Sequence, residues 1–381
     1  MSLALRNGRV LTEDGFRDDL TVLLDHAHIE ALLPAKDPRV RAAESHDLKG
    51  ATLLPGFIDT QVNGGGGVLF NSTPSVEGIR TIVAAHRRFG TTGLLPTLIS
   101  DSAETMREAI RAVDAAMAEG LPGVLGIHIE GPYIAPARKG VHDAASLRVP
   151  DAGEVALATS LKRGRTLLTL APERVSVDTV RELVAAGVIV SVGHTAGEYA
   201  AVRHALDAGA RGFTHLYNAM TPLQSRAPGA VGAALEDRES WCGIIVDGHH
   251  VHPASLKVAL AAKPRGKVFL VTDSMPTVGA ANPSFLLNGE TITERNGIVQ
   301  TAHGVLAGSA LSMIAAVRNA VRMLGLPLEE AARMAATYPA DFLGLGKTHG
   351  RIAPGCRADF TVVDAELEVV ETWIGGLSQR A

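Results

Sequence analysis

Residues 166–171 read Thr-Leu-Leu-Thr-Leu-Ala, residues 177–186 read Val-Asp-Thr-Val-Arg-Glu-Leu-Val-Ala-Ala, and residues 188–193 read Val-Ile-Val-Ser-Val-Gly. A short β-prone run gives way to apolar residues at helical spacing, and then to a second run that is apolar almost throughout. That is the pattern of a strand, a crossover helix and a parallel strand buried on both faces. The same alternation extends in both directions along the chain. Eight β-prone runs can be counted: 52–60, 92–99, 124–130, 166–171, 188–193, 212–216, 242–246 and 267–272. Helical stretches fall at 76–89, 103–119, 177–186, 198–208 and 253–262, with two more at 311–324 and 328–343. Eight strands in βα units predict an α/β protein built on a closed (β/α)8 TIM-type barrel. An open α/β sheet with one or two fewer strands is the alternative.

Both ends of the chain read differently. Residues 1–51 and 346–381 hold short β-prone runs punctuated by Asn7-Gly8, Asp14-Gly15, Pro354-Gly355 and Gly375-Gly376. They predict small antiparallel strands that build one small β-sandwich domain from both termini around a catalytic barrel at 52–345. The 381 residues are 46% hydrophobic and 20% charged, enough to bury a large core. The formal charge is −4 with no block of like charges, which argues against a nucleic-acid partner. No apolar run approaches the roughly 20 residues of a membrane helix. Arg6, Arg9, Glu13 and Asp14 stand where a signal peptide would be apolar, so no membrane partner and a cytoplasmic location are expected. Cys242 and Cys356 are the only cysteines and lie far apart in sequence. Any metal must therefore be held by His, Asp, Glu or Gln.

In a parallel barrel the working face lies at the C-terminal ends of the strands. Polar and ligand-type residues collect there. Strand one runs into Asp59, Gln61 and Asn63, strand three into His128 and Glu130, strand five into His194, and strand six into His215 and Asn218. Strand seven leads to Asp247, His249 and His250, and strand eight to Asp273.

Glu130, His194 and His215 come from strand ends that a barrel gathers around one point. Two imidazoles and a carboxylate form a catalytic-type metal shell with a position left for water. Asp273 follows an apolar run and stands where a carboxylate could take a proton from such a water, although a loop or capping role is the competing reading of an isolated Asp. His128 shares a face with Glu130 and is read equally as core, as support or as a ligand. The Gly64–Gly67 run lacks the Lys-Ser/Thr pair and spacing of a phosphate loop, so a mobile or closely approached loop is expected. Arg226 and His250 offer donors for an anionic group on a substrate. Tyr133, Trp241 and Cys242 read as core or pocket wall.

Several runs resemble the N-acetylglucosamine-6-phosphate deacetylase family of the amidohydrolase superfamily. They are Leu-Leu-Pro-Gly-Phe-Ile-Asp (53–59), His-Ile-Glu-Gly-Pro-Tyr (128–133), Ser-Val-Gly-His-Thr (191–195), Thr-His-Leu-Tyr-Asn-Ala-Met (214–220), Asp-Gly-His-His-Val (247–251) and Val-Thr-Asp-Ser (271–274). The resemblance implies metal ligation by Glu130, His194 and His215 and a general base at Asp273. It also implies that His142 contacts the sugar and polarises the acetamide carbonyl, that Asn218 and Ala219 bind substrate, and that Arg226 and His250 hold the 6-phosphate. A homodimer with the site near its interface is implied as well, and a phosphate contact can then come from the neighbouring subunit.

One departure stands out. Many amidohydrolases carry His-x-His after strand one, where this chain has Gln61-Val62-Asn63. Neutral amides compete poorly for a transition metal, so this remnant of a second site should be weak or empty. One divalent metal per subunit is expected, Zn2+ by default, with Fe2+, Mn2+ or Co2+ open. The expected reaction is metal-assisted hydrolysis of a small-molecule amino-sugar phosphate, N-acetyl-D-glucosamine 6-phosphate, to D-glucosamine 6-phosphate and acetate. The rivals are an amidohydrolase acting on another N-acylated or cyclic amide, and a non-catalytic barrel.

Overall fold

In the computed structural model, which describes residues 2–380, the central alternation becomes one eight-stranded parallel sheet. Its strands are β1 (Phe57–Val62), β2 (Thr91–Ile99), β3 (Gly126–Glu130) and β4 (Arg165–Leu170), followed by β5 (Ile189–Val192), β6 (Gly212–Phe213), β7 (Trp241–Ile244) and β8 (Val268–Leu270). They are paired in chain order, and the two outer strands then meet. Across this seam Asp273 N donates to Gln61 O at 3.0 Å and Asn63 N donates to Ser274 O at 2.9 Å. A buried carboxylate reinforces it: Asp59 accepts from Gln61 N at 3.2 Å, from Thr272 N at 3.3 Å and from the Thr272 hydroxyl. Burial pushes Asp59 up to about 7, against the pull of these donors. The sheet is thus a nearly closed barrel.

Parallel strands need crossovers, which helices supply. These are α1 (Val76–Arg87), α2 (Ala103–Ala118), α3 (Ala152–Ala158), α4 (Val177–Ala185), α5 (Tyr199–Asp207), α6 (Gly229–Glu236) and α7 (Pro253–Ala262). Three start on a serine whose hydroxyl accepts an orphan backbone N–H: Ser75 from Gly78, Ser102 from Thr105 and Ser176 from Thr179. In α2 the buried face is Met106, Ala109, Ile110, Val113 and Ala116, the spacing that a helix lying on a sheet requires.

The expected 328–343 helix is two, α9 (Leu328–Ala335) and α10 (Thr337–Phe342), broken where Ala336 leaves helical geometry at φ −131°. They follow α8 (Met313–Leu324). Phe342 closes the base of the barrel, stacked on Phe269 at 5.0 Å between ring centroids and 5.9 Å from Trp241. The glycine at 212 makes room for it, since a Cβ there would lie 2.9 Å from the Phe342 ring.

The termini form two sheets. One has four strands, Ser2–Arg6, Leu20–Asp25, His28–Pro34 and Glu44–Asp47; the other has six, from Arg9–Thr12 through Leu377–Arg380. Leu5, Val10, Val22, Leu53, Phe360 and Trp373 belong to one shared core. Two details differ from the sequence reading. Residues 52–60 are not one barrel strand: Thr52–Pro55 pairs with Arg9–Val10 and with Phe360–Val363 in the six-stranded sheet, and only Phe57 onward enters the barrel. The break falls at Gly56, where a Cβ would lie 2.2 Å from Thr92 Oγ1. Two of the terminal pairings are also parallel rather than antiparallel.

A three-stranded antiparallel sheet, Ser284–Leu287, Glu290–Arg295 and Ile298–Gln300, is inserted between β8 and α8. Leu287, Ile292 and Val299 pack with Leu69, Ile99 and Met275 beside the barrel mouth.

Candidate active site

Strand ends β3, β5 and β6 bring Glu130, His194 and His215 together. His215 Nε2 lies 3.0 Å and His194 Nε2 3.2 Å from Glu130 Oε1, and the two imidazole nitrogens are 3.0 Å apart. All three side chains are buried. A tetrahedral ion with bonds of about 2.0–2.1 Å sets its ligand atoms roughly 3.3 Å apart, so the donor set fits a divalent metal. The far side of one ring supports this fit. His194 Nδ1 donates to Arg138 O at 2.7 Å, which leaves its Nε2 lone pair for the cluster. Burial opposes the charge on Glu130, yet the two imidazoles bonded to it hold its carboxyl well below the usual carboxylate range. Burial likewise opposes a charge on His215, but the Glu130 carboxylate outweighs it and raises the imidazole above its ordinary value.

Asp273 stands beside this cluster. Its Oδ1 accepts from Asn63 Nδ2 at 2.7 Å and from Gln61 Nε2 at 3.2 Å, and the same Gln61 nitrogen lies 3.1 Å from Glu130 Oε1. Burial and the nearby Glu130 charge push the Asp273 carboxyl up. Gln61 and Asn63, read from the sequence as weak second-metal positions, thus serve Asp273 as hydrogen-bond donors. His194, His215, Ala219 and Asp273 all have positive φ, between 34° and 52°. Strain of this kind in non-glycine residues persists where the surrounding structure enforces it, and it clusters at functional sites.

The four groups open into a cavity of about 300 Å³ that is also lined by Asn63, His142, Asn218, Ala219 and His250. Ile99, Val141, Met275 and Leu306 supply apolar wall. His142 is buried against His194 with ring centroids 4.6 Å apart. Burial, with His194 adding to it, pushes His142 down to about 3, so the ring is neutral at ordinary pH. Asn218 folds back, donating through Nδ2 to His215 O at 3.1 Å. His250 faces the cavity and His249 is exposed, which separates two adjacent rings that the sequence left undistinguished. His250 Nδ1 donates to Asp247 Oδ2 at 2.6 Å.

Other expected residues lie elsewhere. Arg226 is not brought to the His250 cavity: it is exposed on the loop before α6 and lines a separate hollow with Tyr199 and Thr221. His128 sits one layer deeper in the barrel, 2.8 Å from Thr169 Oγ1 and 3.3 Å from Thr97 Oγ1. The Gly64–Gly67 run is a closely approached turn. His86 Nε2 donates to Gly64 O at 2.9 Å, and a Cβ on Gly65 would lie 2.9 Å from that ring. Tyr133 and Cys242 are core.

Comparison with known proteins agrees with this fold. The sequence profile described as the amidohydrolase family matches residues 52–379. An N-acetylgalactosamine-6-phosphate deacetylase of Shewanella sp. (strain ANA-3) is 41% identical over 97% of this chain and 93% of its own length. An N-acetylglucosamine-6-phosphate deacetylase of Haemophilus influenzae is 34% identical over 99% of each chain. The crystal structure of N-acetylglucosamine-6-phosphate deacetylase from Pasteurella multocida superposes with a TM-score of 0.96 at 33% identity, covering 100% of both chains. With the profile spanning the barrel and relatives aligned end to end, this chain belongs to the amidohydrolase family of metal-dependent amide hydrolases.

Proposed function

We propose that the chain hydrolyses the acetamide of N-acetyl-D-glucosamine 6-phosphate to D-glucosamine 6-phosphate and acetate. The observation that carries this reading is the convergence of Glu130, His194 and His215 on one point beside Asp273, whose Oδ1 is saturated by two amides. Glu130, His194 and His215 would hold a divalent ion, zinc by preference over iron, manganese or cobalt, which would supply Lewis-acid polarisation of the amide carbonyl and lower the pKa of a water toward about 7. Asp273 Oδ2 takes the proton of the attacking water and delivers it to the departing amine nitrogen, so the new C–O bond and the broken C–N bond are matched by one proton transfer. His142 donates to the carbonyl oxygen as negative charge develops there.

At the other end of the substrate, Asn218 and the Ala219 backbone hold the sugar, and His250 holds the phosphate. Asp247 fixes the His250 ring at 2.6 Å. Arg226, exposed and outside the cavity, is assigned to the phosphate of a neighbouring copy in a homodimer. The two terminal sheets are read as one small β-sandwich domain that receives Thr52–Pro55 from the start of the barrel segment. Among the described residues no helix is long and apolar enough to cross a membrane, and a cytoplasmic location accords with a phosphorylated sugar substrate.

A second reading is favoured by the 41% identical relative, whose name specifies the galactosamine epimer. The test is acetate release by metal-quantified protein given N-acetylglucosamine, its 6-phosphate and N-acetylgalactosamine 6-phosphate in parallel. Faster release from the glucosamine phosphate supports the proposal, and faster release from the galactosamine phosphate supports the second reading. Failure with all three, metal bound, moves the substrate to another N-acylated or cyclic amide.

A further inference from the structure

Strand β2 supplied no candidate to the barrel mouth, yet the residue that follows it reaches the site. Ser100 is buried just beyond Ile99. Two of its atoms converge on a single nitrogen of His142: the Ser100 backbone N lies 3.2 Å and Oγ 2.7 Å from His142 Nδ1. A backbone N–H only donates, so Nδ1 must present its lone pair. A neutral imidazole with a bare Nδ1 carries its hydrogen on Nε2.

The surroundings hold Ser100 in this place. Asn71 grips the end of β2 through both polar groups of its amide: Ile99 N donates to Asn71 Oδ1 at 3.1 Å, and Asn71 Nδ2 donates to Ile99 O at 3.0 Å. Asn71 Nδ2 also reaches Asp101 Oδ2 at 2.9 Å, and Arg148 Nη1 donates to Asp101 O at 2.8 Å. On the opposite side, a Cβ at Gly131 would stand 2.2 Å from Ser100 Oγ. The glycine after the ligand Glu130 therefore keeps the space that the hydroxyl occupies.

We propose that Ser100 is a positioning residue that locks His142 in the Nε2–H tautomer, so that the ring meets the substrate carbonyl as a hydrogen-bond donor. The inference rests on the reading above that His142 faces the scissile carbonyl. The opposite tautomer would turn a lone pair toward an oxygen that is gaining negative charge, which repels rather than stabilises. Proximity of His142 to the ligand cluster would then work against the reaction instead of for it.

The test uses the full-length, metal-loaded protein with 15N-labelled histidine, and compares it with Ser100→Ala and Ser100→Thr. In the unsubstituted protein the His142 ring should show hydrogen on Nε2 and none on Nδ1. Ser100→Ala should lower kcat about tenfold to a hundredfold with KM within about twofold, because a donor in the transition state is misaligned while ground-state binding is spared. Ser100→Thr, which keeps the hydroxyl, should recover most of the rate. Hydrogen on Nδ1 in the unsubstituted protein overturns the inference, and so does a Ser100→Ala variant with undiminished kcat. The ring spectrum decides the matter even if Ser100→Ala does not fold. Absence of turnover on either hexosamine phosphate would sink the substrate assignment while leaving the tautomer result to stand or fall by itself.

Discussion

Asn63 donates its side-chain amide to Asp273 Oδ1 at 2.7 Å, across the seam between the first and last barrel strands. Gln61 adds a second donor to the same oxygen at 3.2 Å, so both amides bond Oδ1 and neither bonds Oδ2. A hydrogen bond to a charged group is worth about 1.5–3 kcal/mol, and about 1.4 kcal/mol is a tenfold change in rate. Asn63→Ala should lower kcat about tenfold or more, with metal content and KM nearly unchanged. An Asn63→Ala enzyme with wild-type kcat would show that the amide does not orient the base.

Asp273→Asn removes the proposed proton acceptor and keeps its shape. General base catalysis contributes about 10²–10⁴-fold, so turnover should fall by that factor while metal and substrate still bind. Equilibrium binding of the phosphorylated substrate beside single-turnover rates separates the two effects. A rate near wild type would require another base.

Loss of a ligand should be visible without any assay of turnover. Metal that binds only the folded chain stabilises it by mass action, so a chelator should lower the Tm of the wild-type protein. Glu130→Gln replaces the proposed charged ligand by a poor one and should hold far less than the roughly one metal per chain expected of a single shell. Its Tm should not respond to the chelator, and full metal content in this variant would contradict the ligand assignment.

Asp247 carries the acid dependence that is simplest to isolate. Burial opposes its charge, but bonds from His250 and from the backbone N–H groups of His249 and His250 bring it down to about 2 from an ordinary 3.8. A depressed carboxyl stabilises the fold above its unfolded pKa, and that contribution is lost as pH falls from about 4 to about 2. Discounted for partial solvent screening, Asp247→Asn should cost about 1–2 kcal/mol in urea unfolding at pH 7. The gap between the two proteins should narrow below about pH 3, and a gap constant with pH would mean that the loss is one of packing.

Arg226 distinguishes a phosphate reader from a bystander. Arg226→Ala should raise KM for the phosphorylated sugar by about tenfold or more, the scale of one lost charge-assisted contact, and leave the unphosphorylated sugar unaffected. Equal effects on both would remove Arg226 from phosphate binding. Mixing Arg226→Ala with an inactive Asp273→Asn chain should restore part of the lost affinity if the guanidinium acts on the neighbouring copy.

Much of the barrel was legible because parallel strands buried on both faces must be apolar throughout, and ligand-type residues then stand out at their ends. Glu130, His194, His215 and Asp273 were visible for that reason. Ser100 was not, since Ser-Asp-Ser after a strand reads as an ordinary turn into a helix, and Ser102 does cap α2. Its bond to His142 crosses 42 positions and leaves no local pattern. The inserted sheet at 284–300 did carry a signal, the Asn288-Gly289 and Asn296-Gly297 turns, which have the form of hairpin loops. The division of 52–60 was hidden because apolar residues run through both halves, which part only in the sheets they pair with. Gln61 and Asn63 were read by what amides cannot do for a metal, whereas their role beside Asp273 is what amides do for a carboxylate.

The seam between β1 and β8 divides the proposed catalytic groups unevenly. Glu130, His194 and His215 stand at the ends of strands inside an unbroken run of pairings from β3 to β6. Asp273 and its two amides straddle a junction held by a few backbone bonds and the Asp59 carboxylate. A fluctuation that parted this junction would draw the proton acceptor away from its donors and leave the ligand triad assembled. Such a molecule would be metal-replete yet silent. Turnover per bound metal is therefore a gauge of barrel closure, and it should decline on warming before metal is released or the helices melt.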